Sequence, residues 1–317
     1  MSQQLLLVNY HYVRDPNAHP YPGIHPISPA DFAMQMKQLA AQLHIATPEE
    51  AEGFLLGKSA LPRDSVLITF DDGLVDHAET ARDILDPLGV KAIFFVCSRP
   101  LAETRAVAVH KVHWLRATAP PARFRSDLLS ALPKEWTERT LSQDERKAAA
   151  DTYIYDRPED AETKYLLNFV LPEHVVDAAT SAMLSGRGIS EAEFCRNTYM
   201  DPETLRALVA AGHRVEAHTH DHRPVTRLGA EEDELMALNV RTLEQATGRR
   251  PTWLSYPFGR DWALPDDSRV FCRRHGFAFG VTLKGTWVKP ENAPYALDRI
   301  NTNEVEQVVS ERNVAAR

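Results

Sequence analysis

The chain has 317 residues, of which 44% are hydrophobic and 25% charged, and its net charge is −8 with histidine neutral. This composition is typical of a globular protein with a sizeable core, and no basic run indicates nucleic-acid binding. No stretch approaches the roughly 20 apolar residues that a membrane-spanning helix needs. The first residues lack the pattern of a signal peptide and the cysteines are too widely spaced for a disulfide framework, so we expect a cytoplasmic protein.

Short apolar runs of strand length alternate with helical patterns along most of the chain. The first helix is predicted to begin at Ser28, which has the character of an N-cap, and later ones near residues 78, 201 and 231. Alternating strands and helices predict a mostly parallel sheet with helices outside it, here a distorted (β/α)7-type barrel. The seven candidate strands are residues 5–10, 66–70, 92–96, 214–217, 252–256, 277–281 and 296–300.

One region interrupts this alternation. Residues 101–195 show helical patterns and almost no strand signal. We therefore expect a helical insertion between two barrel strands, within a single domain that spans residues 1–317. Long additions to barrel loops commonly shape substrate pockets.

Side chains that can carry out chemistry follow two of the candidate strands. The pair Asp71-Asp72 follows one, and the histidine-rich residues 218–222 follow another. Reacting groups of such barrels lie at the carboxyl ends of strands. Adjacent aspartates at a strand end diverge in direction, so one can bind a cation while the other takes a proton. The alternative is that Asp-Asp-Gly is only a turn.

The spacing of two histidines indicates a metal site. His218 and His222 are four residues apart, so on a helical turn they project to the same side and can share an ion. With one aspartate they form a set of two histidines and one carboxylate, which leaves open positions for water and substrate. A solvated, histidine-rich turn is the alternative reading.

These stretches resemble a known family. Residues 69–73 (TFDDG) and 218–222 (HTHDH) resemble the first two motifs of the NodB-homology polysaccharide deacetylases, which are carbohydrate esterases, and residues 255–259 (SYPFG) are similar to the third. The resemblance covers roughly residues 5–100 and 195–300. It implies the same barrel, a divalent metal that is usually zinc, and a hydrolase that removes acetyl from N-acetyl sugars by breaking a carbon–nitrogen bond other than a peptide bond.

The resemblance also assigns roles to residues. It implies that Asp71 is the catalytic base, and that a backbone N–H of the third motif holds the oxyanion. Pro257 would shape that turn and Phe258 would form an apolar wall. The implied metal ligands are Asp72, His218 and His222, and the implied oxyanion and substrate residues are Tyr256, Pro257 and Phe258.

The sequence departs from the family at the residue that orients the base. Ser255 stands where many members have an arginine. We expect Arg299, at another strand end, to supply the guanidinium and to lie within hydrogen-bond reach of Asp71. A salt bridge between Arg299 and Asp298 is the alternative.

A second departure concerns the general acid. The late histidine that many members use for this role is missing, so another histidine has to protonate the leaving amine. His11, at the end of the first candidate strand, is the predicted acid. His110 and His113, in the insertion, are alternatives.

The predicted function is that of a cytoplasmic, metal-dependent sugar N-deacetylase in surface polysaccharide biosynthesis. Its substrate would be an N-acylated sugar, a nucleotide sugar or an oligosaccharide. Two alternatives stay open: hydrolysis of another amide such as an N-formyl group, and a metal- or glycan-binding pseudoenzyme. The presence of Asp71, which a protein that only binds metal does not need, argues against the pseudoenzyme.

Overall fold

The computed structural model describes residues 3–153, 156–308 and 310. The chain divides into two compact units. The first comprises Met1–Pro16, Pro26–Arg105 and Cys195–Arg317, and the second comprises Asn17–His25 and Ala106–Phe194. Among the described residues, no helix has the length and apolar character that crossing a bilayer requires.

Parallel strands form one sheet in the first unit. In chain order they are β1 (Leu5–Tyr10), β2 (His44–Ile45), β3 (Ser65–Phe70), β4 (Ile93–Val96), β5 (Arg214–Ala217), β6 (Trp253–Ser255), β7 (Phe279–Val281) and β8 (Ile300–Asn301). Their spatial order is β7-β6-β5-β4-β3-β1-β8, and the short β2 lies off this path beside β3. Six of the sequence-predicted strands match closely, and the last is shorter than predicted.

The segment before β8 explains both its short length and the curl of the sheet. Leu297 bridges to Val281 of β7, and three residues later Ile300 pairs with Val8 of β1. This short segment therefore contacts β7, at one end of the strand order, and β1, near the other end, and joins the two sides of the sheet. Because it passes from one neighbour to the other, it forms only two residues of regular ladder. The result is the distorted (β/α)7-type barrel that the sequence predicts.

Helices surround the strands in the first unit and make up most of the second. Those of the first unit are α1 (Pro29–Gln42), α2 (Pro48–Leu55), α3 (Val75–Thr80), α4 (Arg99–Glu103), α12 (Pro202–Ala210), α13 (Glu232–Thr247) and α14 (Ser268–His275). The remaining ones are α5 (Ala108–Ala117), α6 (Pro121–Ala131), α7 (Lys134–Thr137), α8 (Gln143–Thr152), α9 (Pro158–Tyr165), α10 (Glu173–Ser185) and α11 (Glu191–Thr198).

The predicted helix boundaries hold where a cap marks them. Ser28 accepts a hydrogen bond from the Asp31 N–H at the start of α1, and Gly248 ends α13 in the left-handed conformation. The helix predicted from residue 78 instead begins at Val75 and changes to a π-turn at Ala81. Pro87, which lacks an N–H, then forces a 3-10 turn before the helix ends.

Alternation along the strands decides which side chains face the barrel interior. Leu5 and Leu7 of β1, with Leu67 of β3, belong to an inner apolar cluster, whereas Leu6 and Val8 belong to the cluster beneath the helices. Successive side chains of a strand point to opposite faces. The inner face therefore continues, at the carboxyl ends of the strands, into polar residues. These are Asn9, Thr69, Asp71, His218 and Ser255.

Candidate active site

Asp71 is held by four donor groups inside the barrel. Its side chain is only 3% exposed. Arg299 forms a two-pronged contact, with Nη1 donating to Oδ1 at 2.8 Å and Nη2 donating to Oδ2 at 2.7 Å. Oδ2 also accepts from Asn9 Nδ2 at 3.0 Å and from Ser255 Oγ at 3.1 Å. Such a fork of parallel charge-assisted bonds fixes the orientation of the carboxylate.

The charge of Arg299 decides the protonation state of Asp71. Burial alone would raise the pKa of Asp71, because it disfavours the charged form. The guanidinium of Arg299 and its hydrogen bonds, with smaller contributions from His218 and His11, outweigh burial and hold this pKa well below its usual range. Asp71 is therefore a carboxylate at neutral pH, the state that can accept a proton.

Arg299 is itself fully enclosed. It is 1% exposed, and its guanidinium lies over the Phe95 ring at 5.4 Å. Its Nε donates to the Thr282 carbonyl at 3.0 Å, and this hydrogen bond fixes the orientation of the guanidinium in the site. Its remaining donors reach Asn9 Oδ1 at 3.2 Å, Thr69 Oγ1 at 3.1 Å and Ser255 Oγ at 2.8 Å.

The predicted contact between Arg299 and Asp71 is present. Asp298, the alternative partner, instead accepts a hydrogen bond from Thr282 Oγ1 at 2.9 Å. Ser255, at the position where many relatives have an arginine, bonds to both members of the pair. A small hydroxyl at this position leaves space for a guanidinium that arrives from a different strand.

Asp72 lies beside two histidines at the distances that ligands of a shared metal ion would have. Oδ1 of Asp72 lies 3.3 Å from His218 Nε2 and 3.4 Å from His222 Nε2. A tetrahedral zinc ion with bonds of about 2.0–2.1 Å places its ligand atoms about 3.3–3.4 Å apart. These two distances match a shared ion better than direct hydrogen bonds.

The ring of His218 is oriented by the third motif. Its Nδ1 lies 2.8 Å from the Ser255 carbonyl, which can only accept, so Nδ1 carries a proton and Nε2 points toward Asp72. Burial opposes a charge on His218, but Asp71 and Asp72 raise its pKa. The two carboxylates thus favour a positive charge beside His218 Nε2 and Asp72 Oδ1.

Cys97 is an alternative third ligand. Ligand atoms of Asp72, Cys97 and His218 lie within 4.8 Å of one another. However, Cys97 Sγ donates to the His218 carbonyl at 3.3 Å, and burial, aided by Asp72, raises the pKa of this thiol well above its usual value. A bound zinc ion would itself deprotonate a coordinating thiol, so Cys97 is a chemically possible ligand. The family motif instead implies His222 as the third ligand.

His220 is not part of this set. Its Nδ1 lies 2.9 Å from Ser98 Oγ and its Nε2 lies 2.9 Å from Glu103 Oε1. Both ring nitrogens are therefore engaged on another side of the turn.

The motif turns adopt a backbone conformation that is costly for residues other than glycine. Five non-glycine residues of the described chain have positive φ, and four of them lie in the three motifs. They are Asp72 (φ 86°), Thr219 (59°), His222 (64°) and Phe258 (67°). Strain of this kind persists only where the surrounding structure enforces it, and it is common at functional sites.

The predicted role of Tyr256 requires correction. Its N–H donates to the Val281 carbonyl at 3.2 Å in the sheet, and its hydroxyl donates to the Tyr295 carbonyl at 3.0 Å in the outer core. Sheet pairing and the alternation of faces thus keep Tyr256 from the site. Pro257 has no N–H. Of the three residues, Phe258 is left to donate a backbone N–H to an oxyanion.

Phe258 also begins an aromatic surface that the sequence analysis missed. Its ring lies 5.1 Å from that of His222 and 5.0 Å from that of Trp262, which is 39% exposed. The only sequence signal for Trp262 was a single tryptophan in a loop after the third motif.

The candidate general acids lie in different units. His11 is half-buried after β1, and its charge contributes to lowering the pKa of Asp71. His110 and His113 lie on α5 of the second unit, with their rings 6.1 Å apart. Their roles stay predictions.

The sequence matches a family model described as polysaccharide deacetylase over residues 58–125 and 156–279. The chain belongs to the polysaccharide deacetylase family. A peptidoglycan deacetylase of Helicobacter pylori is 27% identical over 82 residues, which is 26% of this chain and 27% of that protein. The match thus spans about a quarter of the length of this curated relative.

Solved structures of polysaccharide deacetylases have a similar fold. IcaB from Ammonifex degensii superposes with a TM-score of 0.60 at 19% identity, covering 98% of this chain and 97% of that one. The deacetylase PplD from Streptococcus pyogenes gives 0.57 at 15%, covering 98% of each chain. A polysaccharide deacetylase from Bacillus cereus gives 0.56 at 16%, covering 97% of this chain and 68% of that one.

In this polysaccharide deacetylase family member, loss of His222 should remove metal while loss of His220 should not. We expect His222→Ala to weaken zinc binding by more than about 100-fold, because loss of a direct ligand costs more than loss of a residue that only orients one, which costs about 10–100-fold. His220→Gln is the matched control from the same turn. Isothermal titration with zinc and elemental analysis of purified protein measure both. Equal zinc affinity in the His222→Ala variant and the unaltered protein would contradict the assignment.

Removing Arg299 should destabilise the fold, because Asp71 is then a buried charge without its counter-ion. We expect Arg299→Gln to lower the free energy of unfolding by about 3–5 kcal/mol. Adding Asp71→Asn should recover part of this loss, since a neutral amide needs no counter-ion. Urea unfolding measures both. Asp298→Asn, which removes a neighbouring charge without touching Asp71, is the control, and an equal loss there would defeat the explanation.

Proposed function

We propose that this protein is a metal-dependent sugar N-deacetylase that hydrolyses an N-acetyl amide. The observation that carries the proposal is the pairing of two features in one pocket. A carboxylate, Asp71, is kept ionised by Arg299, and beside it Asp72 Oδ1 lies 3.3 Å from His218 Nε2 and 3.4 Å from His222 Nε2, as ligands of a shared ion would. A base next to a metal site is one arrangement that activates water for amide hydrolysis.

The proposed ligands are Asp72, His218 and His222, and zinc suits them because it accepts imidazole and carboxylate in tetrahedral geometry. Once bound, such an ion lowers the pKa of a water molecule and polarises the acyl oxygen. The strained turns at Asp72 and His222 support the proposal, because they hold the two side chains against one point.

Asp71 would accept a proton from the attacking water as the new carbon–oxygen bond forms. Its two oxygens are fixed by Arg299, Asn9 and Ser255, so the proton acceptor does not have to reorient during the reaction. The Phe258 N–H would donate to the developing oxyanion.

His11 would supply the proton to the leaving amine as the carbon–nitrogen bond breaks. It is half-buried after β1, and the adjacent strand β3 leads directly into Asp71. A histidine is suited to this step near neutral pH, because its usual pKa lies close to 6.5. His110 and His113 remain the alternatives.

The substrate class proposed is an N-acetylated glycan or glycan precursor. Phe258 and Trp262 provide adjacent apolar ring faces, tilted by 45°, against which a sugar ring would pack. The named activity of the Helicobacter pylori relative, peptidoglycan deacetylase, also belongs to glycan chemistry. A cytoplasmic location and a role in surface polysaccharide biosynthesis are further parts of the proposal.

Asp71→Asn should abolish turnover while leaving zinc content nearly unchanged. The amide cannot take the proton of water, so we expect kcat to fall by about 10²–10⁴-fold or more. Acetate release and zinc stoichiometry are the two measurements. Asp72→Asn should behave differently and lose zinc as well. Near-normal turnover of Asp71→Asn would rule Asp71 out as the base.

A substrate screen tests the proposed reaction directly. N-acetylated nucleotide sugars, chitin oligomers and peptidoglycan fragments are incubated with the enzyme, with zinc or after chelation. We expect acetate and a free amine from at least one substrate class, with loss of activity on chelation and recovery with zinc. Formate release from N-formyl analogues alone would favour the other amide hydrolase. Zinc binding without release from any substrate would favour a pseudoenzyme.

A further inference from the structure

A buried histidine outside the catalytic set contacts the loop that carries His11. His77 lies on α3, only six residues after Asp71, and its side chain is 0% exposed. Its Nε2 lies 2.8 Å from the backbone carbonyl of His11. Since a carbonyl can only accept, Nε2 carries the proton and donates it.

The hydrophobic core fixes the position of this donor. The His77 ring lies 5.0 Å from the Phe70 ring and 6.0 Å from the Phe94 ring, on the outer side of the sheet. Burial lowers the pKa of His77 to about 4. The ring is therefore neutral near pH 7 and keeps the same hydrogen bond there.

The neighbouring residue holds the same loop further along. Asp76 is 4% exposed and accepts from the Val13 N–H at 3.2 Å and from Arg14 Nε at 2.7 Å. The first turn of α3 thus binds the loop at residue 11 and again at residues 13 and 14. On the strand side, the Asp71 N–H donates to the Tyr10 carbonyl at 3.0 Å.

We propose that His77 is a positioning residue for His11, setting where the imidazole of His11 stands relative to Asp71. The inference rests on the proposed role of His11 as general acid. Asp71, Asp72 and the start of α3 form one continuous segment, so the same short stretch carries the base, supplies a metal ligand and holds the loop of the acid. Displacing a catalytic group by about 1 Å costs about 100-fold in rate, so one such contact has a measurable effect.

The variants His77→Asn and His77→Gln both carry an amide, and they differ in how far its nitrogen lies from the backbone. The side-chain nitrogen of glutamine corresponds to Nε2 of histidine, and that of asparagine corresponds to Nδ1. We expect His77→Asn to lower kcat about tenfold to 100-fold, with KM and zinc stoichiometry nearly unchanged. His77→Gln should recover most of this rate, which loss of core packing alone does not explain.

His213 provides the matched control. It is buried, its ring packs against Phe94 at 5.4 Å, and its Nδ1 accepts from the Ala92 N–H, away from the His11 loop. His213→Gln, whose amide does not occupy the Nδ1 position, should lower thermal stability to a similar extent as His77→Asn while leaving kcat within about twofold of the unaltered enzyme. Equal losses of kcat in the two variants would overturn the inference.

A double-mutant cycle with His11→Ala gives the closing test. If His77 acts through His11, His77→Asn has no further effect on kcat once His11 is alanine, so the two losses are strongly non-additive. Additive losses, or a glutamine variant no better than asparagine, would overturn the positioning role while leaving the proposed function intact. If His11→Ala itself keeps full activity, the proposed acid fails, and the positioning role fails with it.

Discussion

A carboxylate buried inside a barrel stays ionised only if its surroundings favour the charge, and for Asp71 the largest such contribution comes from the cation Arg299. Each partner would be costly to bury alone, and together they satisfy one another through two short bonds. Arg299 lies in the segment that joins β7 to β1, between Leu297 and Ile300. The segment that closes the barrel therefore also carries the counter-ion of Asp71. Pairing of the last strand and ionisation of the base thus depend on each other.

The remaining site groups are arranged around this pair. Ser255 bonds to both Asp71 and Arg299, and its carbonyl orients His218, so one residue links the base to a proposed metal ligand. The positive φ of Asp72 lets two adjacent carboxylates point to different partners. A turn in an ordinary conformation would direct Asp72 elsewhere, and its contacts with His218 and His222 would be lost.

Much of this organisation was predictable from sequence because it follows local rules. Short apolar runs placed the strands, the cap at Ser28 placed the start of the first helix, and the motif histidines lie at the strand ends where barrels carry their chemistry. Long-range pairing was harder to predict. The hydrogen bond from the Tyr256 N–H to the Val281 carbonyl depends on the register between β6 and β7. Nor did the sequence indicate that residues 17–25 belong with the helical unit, because that depends on tertiary contacts.

Anomalous diffraction at the zinc edge, from crystals grown with one equivalent of zinc, tests the proposed centre most directly. A single peak is predicted about 2.0–2.2 Å from Asp72 Oδ1, His218 Nε2 and His222 Nε2, with the Asp71 carboxylate still bonded to Arg299 and not to the ion. A peak coordinated by Cys97 in place of His222, or by Asp71 with Arg299 displaced, would contradict the division of roles between the two aspartates and the choice of the third ligand.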